Sequence, residues 1–525
     1  MSASEARGAV DDRVWFHRTL WLIGVLGAAR VVYAFIVPLD LVHDEAYYWD
    51  WSRQLDWGYY SKPPMIAWLI GLSTSLGGSS AFVVRLPAVL LGTGGLAWIY
   101  LLASRLYGRR AGFWSVAVSA ATPGNVVLSL LMTIDAPLIF CWGGALYGFW
   151  RFLERDTKQW LWLALATASV GLGLLSKQTM VGFLVLGTLF VMTSREDRVE
   201  LTRPRLWLWV CGSLFFLAPV VWWNSQHDWI TIQHTSGHFV GEPVSLLKRL
   251  TRSAEFLGSQ FGVLSPVTCF LAWAVLVAAF SALRRLGRKE RFLLCFSGLP
   301  LAGVLVLSLT QRIEPNWPAA FYPAAIVLMV GWALGKVDLP VLARLQPTAL
   351  AQCVIVGGLF AAGTHLLAFG LGLEGSPLDA AVRMRGWQRL GETVAERYAE
   401  LPRPDRTFVA VTAGRAVAAE LAFYMPDQPR VFPWNSQNEI LSQYDLWDGP
   451  TGRRGWDALL VTPVETSAPP ELASSFEEIQ DLGRIDVPIG SGRCHSYHLW
   501  HGIGFREWPE PRTHIARESH ALKLR

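Results

Sequence analysis

Apolar residues in this chain come in blocks rather than at alternate positions or at the spacing of a one-sided helix. The blocks lie near 14–39, 81–104, 113–131, 137–153, 160–175, 179–193, 206–223, 261–283, 292–309, 318–335 and 348–372. Most approach the roughly 20 residues that carry a helix across a bilayer. The pattern predicts a polytopic α-helical membrane protein with about eleven spans. The two at 160–175 and 179–193 are the shortest and are parted by Ser176 and Lys177.

Two stretches between the blocks are amphipathic instead. In 40–80, "EAYYWDWSRQL" and "PPMIAWLIGL" read as short helices at the membrane interface, where tyrosine and tryptophan collect. The stretch 224–260 ends in a comparable basic helix. Beyond 372 the pattern becomes that of a small α/β unit: strands at 406–413, 456–463 and 496–505, and a helix at 414–425. The chain therefore divides into a membrane domain, 1–372, and a C-terminal α/β domain, 373–525.

Composition sharpens the class. Hydrophobic residues make up 52% and charged residues 17%, against about 25% charged in soluble proteins, and mean hydropathy is +0.31. Charge also sets orientation. One set of alternate loops holds Arg105, Arg109 and Arg110, then Arg151, Arg155 and Lys158, then Arg195, Arg198, Arg203 and Arg205, then Arg284, Arg285, Arg288, Lys289 and Arg291. By the positive-inside rule these loops and the N-terminus are cytoplasmic, and 40–80, 224–260 and the C-terminal domain are periplasmic. The net charge of +5 is mostly this bias and does not point to nucleic acid. The first apolar run reads as a retained anchor rather than a cleaved signal. Five of six cysteines fall in predicted spans and Cys494 stands alone, so no disulfide framework or metal motif emerges.

On the outer face the chain gathers acids and cations. Asp44 and Glu45 open "HDEAYYW"; as helix neighbours they project about 100° apart, so one facing inward leaves the other facing elsewhere. Asp135, in "MTIDAP", interrupts an apolar stretch, and an acid at membrane depth is costly unless functional or paired. Helix capping is the plainer role for all three. Lys62 in "SKPP", Lys177 in "LLSKQT" and Arg312 in "QRIEPNWP" are the cations an anionic ligand would need, with snorkelling to the interface as the plainer reading. Tyr47, Tyr48, Tyr59, Tyr60, His234, Glu314 and Asn316 are candidate substrate contacts. His227, His234 and His238 share the second outer stretch, where a polar role is the simpler one.

The motifs "HDEAYYW" (43–49), "GYYSKPP" (58–64), "RLPAVLLG" (85–92) and "TIDAP" (133–137) together resemble the bacterial protein O-mannosyltransferase-like family, relatives of the aminoarabinose transferase acting on lipid A. The resemblance implies a C-type glycosyltransferase fold, a polyprenyl-phosphate-linked sugar donor and an active site in the first outer loop. It implies Asp44 as the catalytic acid with Glu45 as its companion, Asp135 as a second acid and Lys62 as a contact to the donor phosphate. Lys177 and Arg312 join Lys62 as candidate phosphate ligands. Where the aminoarabinose transferases carry a metal-holding acid just before that lysine, this chain has Ser61, so no metal or other cofactor is expected to be required. The implied activity is inverting transfer of a sugar to a lipid A-type glycolipid or other envelope glycan at the bacterial inner membrane. Protein O-glycosylation and a flippase for polyprenyl-linked sugars are the rival readings.

Overall fold

The computed structural model describes residues 3–237, 245–339, 341–435, 440–464 and 468–508; His238 of the second outer stretch lies outside them. The chain forms two compact units, each from several stretches: Met1–Ile36, Lys62–Leu69 and Arg85–His365 make one, and Val37–Ser61, Ile70–Val84 and Leu366–Arg525 make the other.

Helices of the first unit include α1 (Ala3–Ile36), then, after α2 (His43–Ser52) and α3 (Met65–Gly77), α4 (Ala81–Tyr107), α5 (Arg109–Ala120), α6 (Pro123–Leu128), α7 (Asp135–Leu153), α8 (Gln159–Leu174) and α9 (Val181–Thr193). They continue with α10 (Pro204–Phe215), α11 (Ala218–Gln226), α12 (Ile230–Gly237), α13 (Leu246–Leu264), α14 (Pro266–Ser281), α15 (Arg288–Phe296), α16 (Gly298–Ser308), α17 (Tyr322–Ala333) and α18 (Ala349–Ala368). In helix α7 sixteen of the nineteen residues are buried. Gly144 and Gly148 lie one helical turn apart on it. A Cβ at Gly148 would come within 2.9 Å of the Ala166 backbone nitrogen, so the small residues let α7 and α8 approach closely. Around them Phe149 stacks on Trp209 with ring centroids 4.4 Å apart, and Phe183 packs on Phe296 at 4.6 Å.

Among the described residues, five helical segments are long and apolar enough to cross a membrane: Asp11–Ile36, Ala81–Tyr107, Pro204–Gln226, Arg288–Ser308 and Ala349–Ala368. This is a multi-pass membrane protein, and several of its other apolar runs form shorter or broken helices. The run at 113–131 breaks where Thr122 caps α6, its hydroxyl accepting from the Asn125 N–H ahead of Pro123. The run at 261–283 is cut at Ser265, whose φ of 73° turns the chain by 116° between α13 and α14. Apolar helices of 10–17 residues, such as Gln159–Leu174 and Ala319–Ala333, account for much of the rest. A block of apolar residues reports burial, and burial in protein needs no bilayer-long helix.

The second unit contains α19 (Trp387–Ala399), α20 (Gly414–Tyr424), α21 (Pro470–Ala473) and strands β1 (Thr407–Val411), β2 (Val431–Pro433), β3 (Asp457–Pro463), β4 (Glu478–Gly490) and β5 (Arg493–Ile503). They form one sheet in the order β2-β1-β3-β5-β4. β1 runs parallel to β2 and β3, while β5 is antiparallel to β3 and β4. The sequence located β1, α20, β3 and β5 but not β2, which is three residues long, or β4, whose first half is charged and exposed.

The unit also contains residues the sequence grouped with the spans, and a division at 372 does not describe it. Helix α2 packs on α20. The Leu41 N–H donates to the Tyr424 hydroxyl at 2.6 Å, and the Trp387 N–H donates to Asp40 Oδ2 at 2.8 Å. The aromatic residues of α2, assigned from sequence to the interface, are buried here against protein.

One turn of this unit rests on a single carboxylate. Asp379 accepts from the Arg385 guanidinium at 2.8 Å and from the Gly375 and Ala381 N–H groups, each at 3.0 Å. Burial alone would push its carboxyl up; these donors outweigh burial and hold it below the usual range. Asp379→Ala should destabilise the unit by about 3 kcal/mol, because Arg385 is left buried without its counter-ion. Since the folded carboxyl is the more acidic, this stabilisation is whole at neutral pH and is lost as pH falls below the ordinary carboxylate range. Tryptophan-fluorescence melts of wild type and variant at pH 7 and at lower pH check both statements; an unchanged midpoint at pH 7 counts against the role.

Candidate active site

Asp44 and Glu45 stand in the first turn of α2, where the helix dipole favours acids. They do different things. Glu45 is completely buried and accepts the Val42 N–H at 3.1 Å, closing the helix start. It was expected as a companion acid in catalysis; enclosed in this way, it shapes the helix that carries Asp44. The Asp44 side chain is 42% exposed, with His43 Nε2 3.9 Å and Arg415 Nη2 3.8 Å from its Oδ1.

Arg415 enters from the start of α20 and lies over the Tyr47 ring, 4.9 Å from its centroid. The Tyr47 hydroxyl accepts the Gln443 N–H at 2.6 Å, and burial pushes that phenol up to about 12, so it keeps its proton. The Tyr60 N–H in turn donates to Gln443 Oε1 at 2.7 Å. Neither Arg415 nor Gln443 was foreseen. A lone arginine opening an apolar helix was the available signal for the first; nothing local ties residue 443 to residue 47.

The four candidate tyrosines are all enclosed. Tyr59 is fully buried, stacked on Trp51 at 4.5 Å and 9°, with its hydroxyl donating to backbone carbonyls of Trp51 and Gln54. It holds the turn together and is closed to substrate, contrary to expectation. Tyr47, Tyr48 and Tyr60 are also buried. Asp50, a further acid of α2, is buried too; burial pushes its carboxyl up against the pull of Arg53, 3.2 Å away.

A second cluster belongs to the other compact unit. Asp135 begins α7 with only 2% of its surface exposed. Its Oδ1 accepts from Lys177 Nζ at 2.8 Å and its Oδ2 from Asn316 Nδ2 at 2.6 Å. Three residues chosen separately from the sequence thus meet. Lys62 lies on a neighbouring stretch: the Met65 N–H, three residues on, donates to the Leu175 carbonyl, two residues before Lys177. Arg312 and Glu314 do not join the cluster. They are exposed and pair with each other at 3.7 Å. His234 sits on α12, half-buried.

Residues 61–223 match the family model for dolichyl-phosphate-mannose-protein mannosyltransferase. The chain is 31% identical over 319 residues to the lipid A galacturonosyltransferase RgtD of Rhizobium johnstonii; the match takes in 60% of this chain and 63% of that protein. Among solved structures it is similar to ArnT from Cupriavidus metallidurans, both in an apo state (TM-score 0.62, 16% identity) and bound to undecaprenyl phosphate (TM-score 0.64, 17% identity). Each likeness covers 92% of this chain and 98% of that one.

The fold is that of ArnT. This likeness of fold extends over most of the chain. In the resemblance drawn from the motifs, position 61 is where a metal-holding acid would stand. Ser61 offers no carboxylate at that position, and among the described residues no three His, Cys, Asp or Glu side chains group to hold an ion.

The Asp135–Lys177 pair makes a testable statement about this fold. Lys177→Met leaves a buried carboxylate without its cation and should cost about 3 kcal/mol. Adding Asp135→Asn to that variant should restore much of the loss, because the buried charge is then gone. Thermal unfolding of the two single variants and the double variant reads this directly; additive losses would show that the pair is not coupled.

Proposed function

We propose that the protein transfers a sugar from a polyprenyl-phosphate donor to a lipid A-type glycolipid on the outer face of the bacterial inner membrane. The observation that carries the proposal is the 31% identity over 319 residues with a lipid A galacturonosyltransferase. The fold of a transferase crystallised with undecaprenyl phosphate supports the donor class, and the arginine-rich loops support the orientation. A polyprenyl-phosphate galacturonosyl donor is the first to test.

In this reading the reaction is a single displacement. The acceptor hydroxyl gives its proton to Asp44, and its oxygen forms the new bond at the anomeric carbon. The bond from that carbon to the phosphate oxygen breaks on the opposite side, so configuration inverts. Polyprenyl phosphate departs with the bonding pair, and Lys62 and Lys177 stabilise its charge. Asp44 suits the base role because it is the accessible acid of α2, and Arg415 fixes where its carboxylate points. Asp135 keeps Lys177 in place and its ammonium oriented.

A transfer assay with the purified protein, a labelled donor and lipid A tests the reading; absence of product from every polyprenyl-phosphate sugar offered would refute it. Asp44→Asn should lower turnover by about a thousandfold, the scale of a lost general base, with donor binding retained. Wild-type turnover in that variant would remove Asp44 from the role. Lys62→Ala should raise the donor KM more than it lowers kcat. Arg415→Ala should lower kcat with the donor KM unchanged, and Arg415→Lys should recover part of it; a pure KM effect would instead make Arg415 a substrate ligand.

A further inference from the structure

In the first unit, a cleft of about 840 Å³ opens where α9 and α14 end and α15 begins. That size falls within the range of about 300–1,000 Å³ typical of ligand clefts. Its walls are apolar: Leu189 and Phe190 of α9, Phe280, Leu283, Leu294 and Leu299. Four of these six, Leu189, Phe280, Leu283 and Leu299, are exposed although large and hydrophobic. Its mouth is basic, lined by Arg195, Arg284, Arg288 and Arg291, with Glu196 as the acid among them.

The four guanidiniums are not equivalent. Arg288 is committed to the protein: it donates to both oxygens of buried Asp197, at 2.8 and 2.7 Å, and to the Leu153 carbonyl at 3.0 Å. Glu196, itself 72% exposed, lies 3.7 Å from that same Arg288. Arg291 uses only its Nε, donating to the Leu286 carbonyl at 2.8 Å. Arg195 and Arg284 are exposed and make no hydrogen bond or ion pair among the described residues. Three guanidiniums thus overhang an apolar cleft with free N–H groups, and no carboxylate pairs with them. The positive-inside bias accounts for arginines in these loops but not for their place over an apolar cleft, and Asp197 already satisfies the one arginine that braces the loops.

We propose that this cleft binds one diacyl phospholipid with an anionic headgroup. Arg195, Arg284 and Arg291 hold the phosphate, which guanidinium N–H groups suit in pairs, and the acyl chains lie on Leu189, Phe280, Leu283 and Leu299. The walls sit at the ends of apolar helices, where bilayer lipid is always at hand, and the cations select anionic lipid from it. Basic pockets between membrane helices recognise anionic headgroups in this way. The site lies at the opposite end of α7 from Asp135, where Arg288 meets the Leu153 carbonyl, and does not depend on the proposed reaction.

The test is native mass spectrometry of the full-length protein in detergent, titrated with phosphatidylglycerol, phosphatidylcholine, undecaprenyl phosphate or inorganic phosphate. Wild type should retain one phosphatidylglycerol and no comparable phosphatidylcholine, with inorganic phosphate failing to displace it. Arg195→Ala with Arg284→Ala should weaken retention by about thirtyfold, the loss of two cations near an anionic surface. Should that variant misfold, wild type photolabelled with a diazirine-tailed phosphatidylglycerol should carry its label on the cleft-lining residues. Equal retention of phosphatidylcholine, preference for undecaprenyl phosphate, unchanged retention in the folded double variant, or labelling spread evenly over the helices would each overturn the proposal.

Discussion

A carboxylate taken almost wholly out of water needs a cation beside it, and in this protein that requirement organises the mouth of α7. Asp135 is 2% exposed, and its two oxygens draw Lys177 and Asn316 together from distant parts of the chain. The ammonium is held by a neighbour that cannot move off it without stranding a buried charge. In the proposed reaction a cation fixed in this way is pre-organised for the departing phosphate, so the pair would bear on chemistry as well as on stability.

The other compact unit solves a different problem. Helix α2 has seven buried residues of ten, among them Tyr47, Tyr48, Trp49 and Trp51, and so must be covered by protein. Helix α20 and the Gln443 loop provide the cover, and one result is that Arg415 lies 3.8 Å from Asp44. Enclosing the aromatic residues and Glu45 leaves Asp44 as the accessible acid. Position is thus conferred on the candidate base by the packing of groups that have no part in the chemistry.

Much of this was legible in advance because each signal was local. The motif "TIDAP" flagged Asp135, since an acid among apolar residues demands an explanation within its own stretch. Lys177 and Asn316 could be chosen by the same reasoning, but not joined to it. Tyr59 misled, because an aromatic residue in an outer loop looks the same in sequence whether it meets a ligand or stacks on Trp51. The break at Ser265 inside an apolar run was hidden for a different reason: it depends on one backbone angle.

The sequence by itself determined the class of molecule, the apolar blocks, the positions of four of the C-terminal elements and the identities of the charged residues worth following. It could do so because hydropathy, charge and turn chemistry act over a few residues. Tertiary structure alone decided which of two adjacent acids is enclosed, which arginine stands beside the other, and which three polar groups share one buried site. Those outcomes depend on contacts between residues as far apart as 44 and 415 or 135 and 316, and no local property of the chain encodes a meeting across that distance.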